Sequence, residues 1–213
     1  MFSSRRERAD GRTARAVPRR RARGVTLVDA LVLIVLVGVL AGGNSLLMSR
    51  LAESAATSAR ELQALQFAAG LMTEITAMPM TLCDADDANV ATAQAAIVGG
   101  IGCATLVDAL GPEPGETRFG PQRFDHVSDW AGYSMPGPGC AGLCDASGAP
   151  VAGGALAACT VQVTVVPQAW AGIAAVDAQG QAQVLRVRVA VGCPGQADIV
   201  LESLRVRDAP NRT

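Results

Sequence analysis

The side chains able to do chemistry in this chain of 213 residues are six cysteines, a single histidine and a scatter of acids. His126 has Asp125 and Asp129 beside it, as an acid–base dyad would. No nucleophile stands at a telling distance from them along the chain, so the expectation is a surface-loop histidine and no catalytic residue. Cys140-Ala-Gly-Leu-Cys144 has three residues between its cysteines. Strong zinc and thioredoxin signatures have two, so the pair reads as a disulfide. Asp84, Asp86 and Asp87 lack the ordered ligand spacing and the closing Glu of a calcium loop, and read as solvated acids. Trp130, Tyr133 and Trp170 are candidates for an adhesive patch, but packing over a loop is the ordinary use of such rings. No cofactor and no metal is expected from these residues.

The acid that stands out is Asp29, at the mouth of an uncharged stretch from Ala30 to Ser49. A carboxylate carried into a bilayer costs roughly 2.5–3.5 kcal/mol on insertion scales, so something must offset it. One local use is a capping box, with Thr26 as N-cap and Asp29 three residues later satisfying free backbone donors.

Placing Asp29 requires reading the elements around it. Residues 1–24 hold nine arginines against Glu7 and Asp10, a net +7, while the rest of the chain holds nine arginines against seventeen acids, a net -8. A basic head before an apolar run is the charge pattern of a membrane-inserted segment. An Arg-rich head also suits nucleic acid, but no aromatic residues interleave the arginines, and no nucleic-acid partner is expected. Residues 25–49 would rise about 37 Å as a helix, enough to cross a bilayer with tilt. Leu51, Ala55, Leu62, Leu65, Ala69 and Met72 then recur at helical spacing, predicting an amphipathic continuation over residues 50–79. Pro79 should end it near Met78.

Residues 80–213 form the expected globular domain. Asn89–Val98 is a possible short helix, and Asp108–Gly120 and Pro136–Gly154 read as loops. Alternating valines predict strands at Thr160–Val166, Val184–Val191 and Ile199–Arg207, the last with Leu204 and Val206 turned inward. Sequential antiparallel pairing is the economical topology. The fold class is therefore α+β: a long helix packed on a small C-terminal antiparallel sheet with disulfide-bonded loops. All six cysteines follow the apolar run, which implies an oxidising compartment. Six cysteines allow fifteen pairings. A hairpin centred near residue 176 sets Cys159 almost opposite Cys193, leaving Cys140 with Cys144 and Cys83 with Cys103.

The stretch Arg23-Gly24-Val25-Thr26-Leu27-Val28-Asp29-Ala30-Leu31 resembles the N-terminal motif of type IV prepilins and type II secretion pseudopilins. Those families usually carry Phe where Val25 stands and Glu where Asp29 stands. The resemblance implies that residues 1–24 are a leader removed by a prepilin peptidase between Gly24 and Val25, and that Val25 becomes the N-methylated first residue. It further implies an inner-membrane protein with one span and a periplasmic C-terminus, later built into a surface pilus. Its partners would be the peptidase, the lipid bilayer, other major and minor pilins and the inner-membrane assembly platform. The new amine would lie one helical turn from Asp29, so one subunit's amine could neutralise Asp29 of the next. Gly38, Gly42 and Gly43 would ease local melting of the helix on assembly, each by roughly 1 kcal/mol relative to Ala. Close helix packing is their other use. Met78-Pro-Met-Thr-Leu-Cys83-Asp84, Arg123-Phe-Asp-His-Val-Ser-Asp-Trp-Ala-Gly132, Val184–Val191 and Leu204–Arg207 are similar to the D-type minor pilins of the mannose-sensitive haemagglutinin (MSHA) pilus. That likeness implies a subunit that primes or modifies a pilus used in adhesion or motility.

Two alternatives stand beside this reading. A type II secretion minor pseudopilin would share the same N-terminal physics. A secreted, disulfide-bonded binding protein would be cut after Ala41, in Val39-Leu-Ala41 before Gly42-Gly43, and Asp29 would then have no role.

Overall fold

A computed structural model of the chain describes residue 24, residues 26–151 and residues 156–207. The predicted leader over residues 1–23 and the predicted first mature residue, Val25, lie outside the described residues. The chain divides into two compact units, Met1–Leu51 and Ala52–Thr213.

Helix α1 spans Leu27–Ala77 and enters both units. Its first half is apolar all round and exposed: Leu33, Ile34, Leu40 and Leu47 each leave more than half their surface open. It is a helix long and apolar enough to cross a membrane. Pro79 follows two residues after its end.

In the second unit the helix does not bury the stripe that periodicity singled out. Ala64, Ala68, Leu71 and Ile75 face the core, at spacings of four, three and four. Leu62 and Leu65 are 60% and 41% exposed, Ala55 and Ala69 are also exposed, and Met72 is half-buried. The buried face starts with two alanines, and small side chains let a helix approach its neighbours closely, whereas the longer leucines point elsewhere. Counting apolar residues found the wrong stripe because the second half of α1 has two of them.

Four antiparallel strands follow in sequential order: β1 (Ser134–Met135), β2 (Thr160–Pro167), β3 (Val184–Gly192) and β4 (Ile199–Val206). The inward residues of β2 and β3 are Val161, Val163, Val165, Leu185, Val187, Val189 and Val191, all buried. They form one core with the helix face, Phe124, Trp130 and Met135. Strand β4 departs from its expected phase. Val206 is exposed, Leu204 is half-buried, and Arg205 reaches in to donate to the Met78 carbonyl at 2.9 Å. A guanidinium on the last carbonyls of α1 satisfies an acceptor that the helix leaves open.

Asn89–Val98 holds no helix. Thr92 and Ala93 each donate to the Asn89 carbonyl, one turn forms, and the chain leaves it to bridge Val98 with Cys103. Gly102 closes this turn. A Cβ there would stand 2.0 Å from the Ile97 carbonyl oxygen, so no other residue fits. Leu82, Cys83, Ala93 and Cys103 form a second, small core beneath it. The disulfides join Cys83 to Cys103, Cys140 to Cys144 and Cys159 to Cys193.

Candidate functional site

The N-terminal residues singled out by sequence sit at the start of α1. Gly24 is exposed, and Thr26 immediately precedes the helix. Thr26 donates to Asp29 Oδ2 from its backbone N–H at 3.1 Å and from its hydroxyl at 2.7 Å. The Asp29 N–H donates back to the Thr26 hydroxyl at 3.2 Å. This is a reciprocal capping box. It orients the carboxylate at the helix mouth and leaves Oδ1 without a described partner. Gly38, Gly42 and Gly43 lie inside the apolar half of α1, and a Cβ at any of them would meet nothing within 4 Å.

In the second unit, the loops between α1 and β2 bury the polar residues that sequence reading had placed in solvent. His126 is 1% exposed. The Thr81 N–H donates to its Nε2 at 2.6 Å, so Nε2 is the acceptor and the proton belongs on Nδ1. Nδ1 lies 2.5 Å from Ser128 Oγ, which donates to Asp108 Oδ1 at 2.6 Å. Asp108 Oδ1 also lies 3.1 Å from Nδ1, so serine and aspartate crowd the same ring nitrogen while backbone holds the other. A serine-nucleophile triad needs the serine on one ring nitrogen and the aspartate on the other, so this arrangement fixes loops rather than activating a hydroxyl. Burial, followed by the charges of Arg207 and Arg205, lowers the histidine to about 4. It is therefore neutral near pH 7.

Asp84 and Asp87 are likewise buried, at 7% and 4% exposed, while Asp86 remains exposed. Burial raises the Asp87 pKa, but N–H donors from Ala104, Leu106, Asn89 and Thr105 overcome that and hold it well below the usual range. Its carboxylate is the hub of this lobe, taking backbone donors at 2.7–3.0 Å.

Asp84 belongs to a different group. The antiparallel bridge between Cys83 and Val107 sets Asp84 opposite Leu106 and Asp108 opposite Leu82, whose carbonyl accepts from the Asp108 N–H at 3.1 Å. The Gly111 N–H donates to the Ser128 carbonyl, bringing the 111–116 turn against the short 3-10 helix Val127–Trp130. Carboxylate oxygens of Asp108, Glu113 and Asp129 lie within 4.8 Å of one another, as do those of Asp84, Glu113 and Glu116. Two full charges at that separation repel by about 3.5 kcal/mol at an effective dielectric of 20. Burial foremost, together with this repulsion, pushes Asp108 up to about 8, and Asp129 and Glu116 to about 7. Asp125, next to them, rises to about 6, and Glu113 also rises. Sequence reading missed this cluster because its members are spread over residues 84–129 with no fixed spacing. The available signal was density: eight acids against Arg118 and Arg123 between residues 84 and 129.

The rings expected over a loop divide. Trp130 is fully buried and meets Phe124 and Tyr133 edge to face at 5.3 and 5.0 Å, whereas Trp170 is 51% exposed. Arg118 lies 4.8, 5.3 and 5.7 Å from the ring centres of Phe119, Trp130 and Tyr133, and pairs with Glu74 of α1 at 2.6 Å. Comparison with protein-family models, curated proteins and solved structures returned no match.

Proposed function

We propose that the chain is a minor pilin of an MSHA-like type IV pilus, matured by cleavage between Gly24 and Val25 and anchored by the apolar half of α1. The observation that carries this reading is the pairing of one acid, Asp29, with the first turn of a helix whose apolar side chains are open on every side. A soluble domain gains nothing from such a helix, while a bilayer, and then neighbouring helices, would cover it. The exposed Leu62 and Leu65 support the same idea further along, as apolar surface left for other subunits. The capping box is compatible with assembly. It occupies Asp29 Oδ2 and would leave Oδ1 to accept the amine of an adjoining subunit.

Sequencing and mass measurement of the mature protein test the processing step. N-methylated Val25 is expected, and Gly24→Ala should leave the leader attached. A mature chain starting at Gly42 would indicate a secreted protein instead. Asp29→Ala should be processed normally but reduce pilus number on cells. Wild-type piliation in that variant would refute charge pairing as the assembly step.

A further inference from the structure

The acid cluster of the second unit has geometry that its own hydrogen bonds do not explain. Asp129 is 1% exposed. Its Oδ2 accepts from the N–H groups of Asp125 and His126 at 3.0 and 2.7 Å. Its Oδ1 is buried with no hydrogen-bond partner among the described residues, and so is Glu113 Oε2. An unpaired carboxylate oxygen shut away from water is unfavourable, and two in one cluster call for a shared counter-charge. The arginines supply it only at a distance, through the charge of Arg207 on Asp108. Arg118 is held by Glu74, and Arg207 by Asp177 and the Ala182 carbonyl. Among the described residues no arginine is ion-paired to any acid of the cluster.

We propose that Asp108, Glu113 and Asp129, flanked by Asp84 and Glu116, form a binding site for one calcium ion. The donors are all carboxylate oxygens, the set that hard divalent cations prefer. Oxygens on opposite sides of a bound Ca²⁺ sit about 4.6–5.2 Å apart, and the oxygens here, within 4.8 Å of one another, are close enough to share one ion. Across Mg²⁺ the span is about 4.0–4.2 Å with strict octahedral demands, which a cluster built on two loops meets poorly. A cavity of about 210 Å³ reaches Glu116 and Asp129 at one side of the cluster, with Arg118 also in its wall. The ion would tie the turn at 111–116 to the 3-10 helix and to the Cys83–Cys103 lobe. This inference rests on the second unit alone and stands or falls apart from the pilin reading.

Thermal unfolding of the full-length protein in detergent, in EGTA or in about 5 mM CaCl₂ or MgCl₂, tests it. Calcium should raise Tm by about 5 °C or more for a site in the submillimolar range, and magnesium by less than about 1 °C. Glu113→Gln removes one charge at a half-buried position. It should melt in EGTA no lower than wild type and lose the calcium shift. Asp86→Asn, an exposed acid outside the set, should keep the shift. Terbium offers a readout that needs no variant. Excitation of Trp130, adjacent to Asp129, should sensitise Tb³⁺ emission, and calcium should quench it by competition. Equal Tm values in EGTA and calcium, a shift retained by Glu113→Gln or lost in Asp86→Asn, an equal effect of magnesium, or terbium emission indifferent to calcium would each overturn the proposal.

Discussion

Replacing Glu74 with alanine should damage the second unit more than any surface change on α1. Arg118 is 6% exposed, and Glu74 grips it twice, Nη2 to Oε2 at 2.6 Å and Nε to Oε1 at 3.0 Å. What remains without Glu74 is the Cys144 carbonyl at 3.2 Å, the Tyr133 hydroxyl and the Met135 sulfur each at 3.4 Å, and three ring faces. These soften the loss but supply no negative charge. Stranding one partner of a buried pair typically costs about 3–5 kcal/mol. The ring and carbonyl contacts place Glu74→Ala at the lower end, about 3 kcal/mol. At about 2–4 °C per kcal/mol for a domain of this size, Tm should fall by about 6–12 °C. Near-UV circular dichroism of Trp130 and Tyr133 reports on the same site. Arg118→Met should cost less, because the Glu74 side chain is 22% exposed and can reach water. The double variant should melt above Glu74→Ala, since the stranded cation is gone. A Glu74→Ala melt within about 1 °C of wild type, or a double variant whose losses simply add, would refute the argument.

Two further outcomes follow from the same geometry. The Cys159–Cys193 bond closes a separation of 34 residues and the Cys140–Cys144 bond one of 4. On chain entropy, paired alanine replacements should cost about 4 kcal/mol for the first and about 2 kcal/mol for the second, which denaturant titration can rank. The metal-free protein should also lose stability as pH rises from about 6.5 to 8.5. Asp108, Glu116 and Asp129 hold their protons more tightly folded than unfolded, so raising the pH favours the unfolded chain. Arg207 tempers this at Asp108. His126 acts in the opposite sense only below about 6.5, where unfolding would let it protonate. Tm in EGTA measured across that range checks the sign, and calcium should flatten the slope.

The linear order of residues determined the parts of this protein that depend on local period and local charge. An uncharged run of helix-forming residues after a basic head can only be a long apolar helix, and Pro79 ends it wherever it packs. Valines at every second position write β2 and β3 with their inner faces, because a strand's alternation is fixed by its backbone. The second half of α1 was different. Two apolar stripes compete there, and only contact with the sheet chose Ala64, Ala68, Leu71 and Ile75. In β4 the register against β3 decided which residues turn in, setting Ile199, Leu201, Ser203 and Arg205 opposite the buried Val191, Val189, Val187 and Leu185, against the phase that Leu204 and Val206 suggested. The loops were the least legible. His126, Asp84 and Asp87 look like solvent residues in a Gly- and Pro-rich stretch, and become buried only when the Cys83–Cys103 lobe folds against the 3-10 helix. The convergence of Asp108, Glu113 and Asp129 is likewise a product of tertiary structure, since carboxylates up to 21 residues apart share a space that no spacing rule encodes.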